Sequence, residues 1–176
     1  VCFKFRPLTT ISIEQLLASV RANTAPGHDG IPGSLIKRLA PALARNITLV
    51  MNSSLLQKKF QISWKQSNVT AIWKGKGSKT DPANYRPISV LPILARVFEK
   101  ACTRQLSRYV EGRDLLPLQQ FGFRAKSSCE HALIAGIDSW MASIDSGEIV
   151  GSLMIDMSKA FDSVPHQMLL QELLNI

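Results

Sequence analysis

The sequence predicts an α+β fold, mainly helical with short strands, and three observations carry that reading. Apolar residues recur at three- and four-residue spacing over several long segments, the pattern of amphipathic helices. Apolar runs short enough for strands are fewer, and Gly, Pro, Asn and Ser bound them. With 45% apolar and 19% charged residues in a chain of 176, the composition is that of a folded protein, and the length suits one domain with a core.

The elements follow in chain order. "SIEQLLASVRAN" opens with a capping box of Ser12 and Gln15 and sets Ile13, Leu16, Leu17 and Val20 at helical spacing. "TAPGHDGIPG" breaks that helix with a turn-rich loop. Helical spacing returns over 34–59, where Pro41 should split or kink the helix, because proline lacks the N–H and crowds the preceding turn. A strand is expected over 69–73, then a basic loop rich in Gly and Ser with an Asp-Pro step. Between 92 and 111, Ile93, Leu94, Val97, Phe98 and Ala101 form an apolar stripe. Arg96, Lys100, Arg104 and Arg108 repeat every four residues on another face, and Gly112 suits the stop. "FGFRAKSS" reads as a loop or short strand leading to a helix over 128–143, with Ser127 and Glu130 as a capping box. After a turn at Ser146-Gly147, the apolar run 149–155 reads as a buried strand with Asp156 at its end. A last helix is expected from Pro165, a residue suited to a first helical turn.

Charge is unevenly placed. The net charge is +8, yet residues 58–113 hold twelve Lys/Arg against Asp81, Glu99 and Glu111, and the rest of the chain is nearly neutral. Such a stretch suits a polyanion, nucleic acid or nucleotide phosphates, or else a solvated helix face beside a basic loop. Cys2, Cys102 and Cys129 make neither a disulfide framework nor a zinc pattern, and Cys129 with His131 supplies only two ligands. Reduced thiols in an intracellular compartment, nuclear or cytoplasmic, are the expectation. No apolar stretch reaches the ~18–20 residues of a membrane span, and no secretory signal opens the chain, so no membrane partner is expected. The chain starts at Val1 without an initiator Met, as a piece of a longer protein would.

Three constellations bear on chemistry. The loop Gly75-Lys76-Gly77-Ser78-Lys79 lacks the G-x-x-x-x-G-K-[ST] order of a P-loop, though Lys74, Lys76 and backbone N–H groups remain able to touch phosphates. Arg86 precedes Pro87, which biases its backbone toward the extended form, and its guanidinium fork suits a phosphate. Asp156 is the sharpest signal. An isolated carboxylate is expensive to bury, so Asp156 should serve a metal, a neighbouring cation or a helix N-terminus.

Four segments in order change the weight of these features. "APGHDGIP", "KGKGSKTDPANYRPISVLPILARVFEKA", "QQFGFRAKSSCEHAL" and "LMIDMSKAFDSVPHQMLLQEL" together resemble reverse transcriptase over about residues 25–175. More narrowly, they resemble the polymerases of non-LTR, LINE-type, jockey-like retrotransposons. The resemblance implies a partial right-hand polymerase fold, with fingers and fingers-palm over about 1–145 and the start of the palm over 146–176. It implies that Asp156 is the first metal-binding aspartate, assisted by the Met157 backbone carbonyl, and that Phe161 lies under the incoming sugar and disfavours a 2′-OH. It places Arg86 on the incoming triphosphate, with Lys74 sharing that task and Lys76 as runner-up. Gln120, Gly122, Phe123 and Arg124 match a Q-x-G-F-R segment that shapes the template and nucleotide pocket. His28, Asp29 and Gly30 belong to an upstream segment and are read as structural or template-side residues. The cofactor implied is Mg²⁺, with no small-molecule cofactor; the partners implied are an RNA template, a DNA primer and dNTPs.

The resemblance has a boundary. The family carries an aromatic-x-Asp-Asp hairpin downstream, whereas here twenty residues follow Asp156 and no two acids are adjacent. The thumb, an endonuclease and an RNase H region have no counterpart in these residues. One carboxylate does not hold two metals, so the chain by itself is expected not to polymerise DNA. An unpaired Asp156 strand should also leave an apolar face open and favour aggregation. A non-catalytic RNA-binding remnant and a non-functional truncated copy are the alternatives.

Overall fold

A computed structural model of the chain describes residues 3–157 and 160–175. Along them run α1 (Thr10–Ala18), α2 (Gly33–Arg38), α3 (Ala40–Gln57), β1 (Asn68–Trp73), β2 (Tyr85–Val90), α4 (Ile93–Glu111), α5 (Cys129–Asp145) and α6 (His166–Asn175). Short 3-10 turns lie at Ile62–Lys65 and Pro82–Asn84. Helices dominate and the two strands form one small antiparallel sheet, as the α+β reading expects. The chain divides into two compact units, Lys4–Arg108 and Val1–Phe3 with Tyr109–Ile176.

The core lies in Lys4–Arg108. Ile13, Leu16 and Leu17 of α1 meet Ala44, Ile47 and Met51 of α3 and Ile93, Val97 and Phe98 of α4, all buried. Phe60, Trp64 and Phe98 close one side as a ring cluster with centroids 5.5–5.9 Å apart. Pro41 splits the long helical segment as expected: α3 starts at Ala40, so proline falls in its first turn, where a missing N–H goes unnoticed. The cap of α1 is Thr9, not Ser12. The Thr9 hydroxyl accepts from the Ser12 N–H at 3.2 Å, while the Ser12 hydroxyl donates back to the Thr9 carbonyl at 2.8 Å. Ser12 thus sits inside the first turn, as one of the donors that need a cap. Two carboxamides pin the segment before α1. Asn52 of α3 accepts from the Leu8 N–H at 2.7 Å and donates to the Leu8 carbonyl at 2.9 Å. Gln105 of α4 does the same for Arg6, at 2.7 and 3.0 Å.

Strands β1 and β2 pair from Asn68↔Val90 to Trp73↔Tyr85, which confirms the strand expected over 69–73. Pro87 is tolerated in a sheet whose strands each have a free edge.

In the unit containing Tyr109–Ile176, α5 is capped by Ser128, whose hydroxyl accepts from the His131 N–H at 3.2 Å; the expected cap, Ser127, lies one residue too early. Residues 121–128 form turns, not a strand. Gly147, at φ +80°, turns the chain after α5. Residues 149–157 form neither helix nor strand and are largely exposed, Ile149 fully and Ile155 by 81%. The buried strand expected there is therefore absent. A strand is stable only when its N–H and C=O groups find a neighbouring strand, and none of the described residues supplies one. Helix α6 begins directly after Pro165, whose carbonyl accepts from the Leu169 N–H at 3.1 Å. No described helix is long and apolar enough to cross a membrane.

Candidate functional site

The β1–β2 hairpin positions the first group of candidate residues. Cross-strand partners share a face, so Ile72 and Arg86 lie on one side and Trp73 and Tyr85 on the other. Arg86 is exposed and has no hydrogen bond or ion pair among the described residues, which leaves its whole donor fork for a ligand. The connecting loop, 74–84, is held by hydrogen bonds of its own. Asp81 caps the Pro82–Asn84 turn by accepting from the Ala83 N–H at 2.9 Å. The Asn84 carboxamide donates to the Ser78 carbonyl at 2.9 Å, and the Tyr85 hydroxyl donates to the Lys79 carbonyl at 2.8 Å. Gly77, at φ +78°, has no room for a side chain, since a Cβ would stand 2.6 Å from Asn84. The Lys79 ammonium lies 5.1 Å from the Trp73 ring centroid, a cation–π contact.

This network separates the two candidate lysines. Lys74 donates from Nζ to the Ala83 carbonyl at 2.6 Å, so one of its donors serves the loop. Lys76 is exposed and makes no such contact among the described residues. The sequence favours Lys74, but of the two it is Lys76 whose ammonium has no partner among the described residues.

The second group lies in the unit containing Tyr109–Ile176. Gln120, Gly122, Phe123 and Arg124 share one tight turn. The Gln120 N–H and the Arg124 guanidinium both donate to the Pro117 carbonyl, at 3.1 and 3.0 Å. The Glu111 carboxylate holds the far end by accepting from the Ala125 N–H at 3.1 Å. Phe123 takes φ +57°, a strained value for a bulky residue, and its ring is 93% exposed. Around Gly122 the space is open, so its backbone is approachable. The Phe123 ring meets Phe161 edge to face, centroids 5.9 Å apart and planes perpendicular. Two residues predicted separately from distant motifs are thus brought together.

Asp156 and Met157 lie on the irregular segment, and both are exposed. Asp156 caps no described helix and has no ion pair among the described residues, so neither a helix N-terminus nor a cation is seen beside it there. The third, a metal, does not fit these residues alone. No three His, Cys, Asp or Glu side chains converge among the described residues, and one carboxylate with one carbonyl falls short of the oxygen ligands a hard divalent ion needs. His28, Asp29 and Gly30 form a local turn in which Asp29 accepts from the Ile31 N–H at 3.3 Å, consistent with a structural part. Sequence reasoning missed Asp81, Asn84 and Trp73; the Asp-Pro step was the visible sign of the Asp81 cap.

Residues 72–176 match the family model for reverse transcriptase (RNA-dependent DNA polymerase). The chain is 32% identical over 160 residues, 91% of its own length, to the probable RNA-directed DNA polymerase from transposon X-element of Drosophila melanogaster. It is 28% identical over 167 residues, 93% of its length, to the RNA-directed DNA polymerase from mobile element jockey of the same species. It is also 26% identical over 161 residues, 89% of its length, to the putative 115 kDa protein in type-1 retrotransposable element R1DM of that fly. The chain spans 18% of the length of the first two relatives and 15% of the third.

Proposed function

The chain belongs to the reverse transcriptase family, and from that premise we propose that it forms the fingers and early palm of a non-LTR retrotransposon polymerase. Residues 1–145 are the fingers and fingers-palm and 146–176 the start of the palm. In the complete enzyme a primer 3′-OH attacks the α-phosphate of a dNTP paired with an RNA template, and pyrophosphate leaves. Arg86 and Lys76, with Lys74 beside them, hold the triphosphate. Phe161, propped by Phe123, lies under the sugar and disfavours a 2′-OH. Gln120, Gly122 and Arg124 shape the pocket, Arg124 by fixing the turn on Pro117. The family implies a divalent metal, here Mg²⁺, and Asp156 with the Met157 carbonyl would be part of its ligand set. The observation that carries the reading is the edge-to-face meeting of Phe123 and Phe161, which joins two motifs of one pocket.

Because the described residues do not complete a metal site, the 176-residue chain should give no template-dependent product in primer extension with Mg²⁺ or Mn²⁺. Any such product overturns that expectation. A chimera with residues 1–176 in the matching position of the jockey polymerase should extend primers and lose that activity with Asp156→Ala. A folded chimera whose extension survives Asp156→Ala would overturn the assignment.

One observation favours a second reading, a non-catalytic RNA-binding module: among the described residues there are exposed cations without ion pairs and no complete metal site. It predicts RNA affinity that falls steeply with salt and is indifferent to Asp156→Ala.

A further inference from the structure

The hairpin is not the sole cationic surface of Lys4–Arg108. On α4, Lys100, Arg104 and Arg108 are exposed and have no hydrogen bond or ion pair among the described residues. Steps of four residues advance about 6 Å along a helix and only about 40° around it, so the three side chains form a gently winding row. Lys100, Arg104 and Arg108 lie seven residues beyond the buried Ile93, Val97 and Ala101, so the row prolongs that face of α4 past the end of the core, where it is exposed. Arg96 begins the series but serves the fold. One of its terminal nitrogens donates to the Ala25 carbonyl at 2.7 Å, and its Nε is buried without a partner. Lys100 stands beside it at the edge of a cavity of about 150 Å³ floored by Leu16, Val20, Ile93 and Val97.

Like charges four residues apart destabilise a helix by a few tenths of a kcal/mol per pair, a cost that a bound polyanion removes. We propose that Lys100, Arg104 and Arg108 form a second nucleic-acid contact, a track for the phosphodiester backbone of a single strand, separate from the triphosphate group on the hairpin. A strand of phosphates repeats one charge at regular intervals, as this row does. The row adds no aromatic platform and no carboxamide that would read bases, so the contact is independent of sequence. That the strand is the template RNA rests on the function proposed above; the contact itself does not.

The test is fluorescence anisotropy of the 176-residue chain with a labelled mixed-sequence single-stranded RNA and the same sequence as DNA, titrated with salt. The triple variant Lys100→Gln, Arg104→Gln, Arg108→Gln should melt like the parent, weaken binding about tenfold or more at low salt, and lower the salt slope by about 2. The variant Lys76→Gln, Arg86→Gln should lower the slope further and additively when combined with it. Comparable affinity for RNA and DNA supports a backbone contact. An unchanged slope in the triple variant overturns the proposal, as does a strict need for 2′-hydroxyls or equal competition by polyglutamate at matched charge. Because the triple variant spares Arg86, Phe161 and Asp156, its result stands apart from the outcome of the chimera experiment.

Discussion

Single residues carry several of the adaptations that hold the two units in shape. Lys58 closes α3 in the left-handed region, at φ +55°, with its N–H on the Leu55 carbonyl and the Lys59 N–H on Ser54. That is a helix stop suited to glycine. Lys58→Gly should therefore stabilise the chain by about 1 kcal/mol, since the left-handed form costs an L-residue roughly that much. A higher denaturant midpoint at unchanged slope would show it. Glu99 supplies a pH signal, because burial pushes its carboxyl above the ordinary Glu value of 4.5. A raised folded value means that the folded state binds the proton more readily, so this group lowers stability at neutral pH. As pH falls through the raised value toward 4.5, that penalty disappears. Glu99→Gln should thus be the more stable protein at pH 7 and converge with the parent in acid, read from denaturation midpoints across pH. Burial, together with the charge of Glu99, also pushes the Cys102 thiol up, which makes it a poor nucleophile.

At the scale of elements, legibility in the sequence followed locality. Helices α3, α4 and α6 were readable because their apolar spacing and the placement of Pro41 and Pro165 are local facts. Caps were misplaced by one to three residues, at Ser12 and Ser127, because a hydroxyl caps only if the chain before it is extended, and that depends on packing. The strand expected over 149–155 failed for a different reason: strand formation is a property of two segments, and one segment cannot reveal it. In the candidate site, the residue types of Arg86, Phe123 and Phe161 were legible. The ring contact and the engagement of Lys74 were not, since both arise from turns folding back. The hairpin loop yields the sharpest test of element order. Gly77→Ala combines positive φ with a Cβ 2.6 Å from the Asn84 carboxamide, and should cost about 1–3 kcal/mol locally. The expected readout is faster amide exchange across β1 and β2 with little change in the global melt.

For the whole molecule, every buried apolar residue of the core cluster falls within Lys4–Arg108. By contrast α5 has no buried residue, and Leu133, Ile134, Met141 and Ile144 on it stand more than half exposed. Limited proteolysis should accordingly cut within 109–176 first and leave a resistant fragment close to residues 4–108, identified by mass spectrometry. Resistance spread evenly along the chain would contradict this division. The exposed apolar surface of 133–174 also predicts concentration-dependent association in sedimentation. The pairing of Arg6 with Gln105, 99 residues apart, bears on the order of events during synthesis. Until Gln105 has left the ribosome, the N-terminal segment has no anchor on α4, and the unit lacks the helix that supplies Phe98 and Ile93 to its core. Folding of Lys4–Arg108 therefore waits until α4 has been made and is then a nearly all-or-none step, and the nascent helices before it are natural clients for a chaperone.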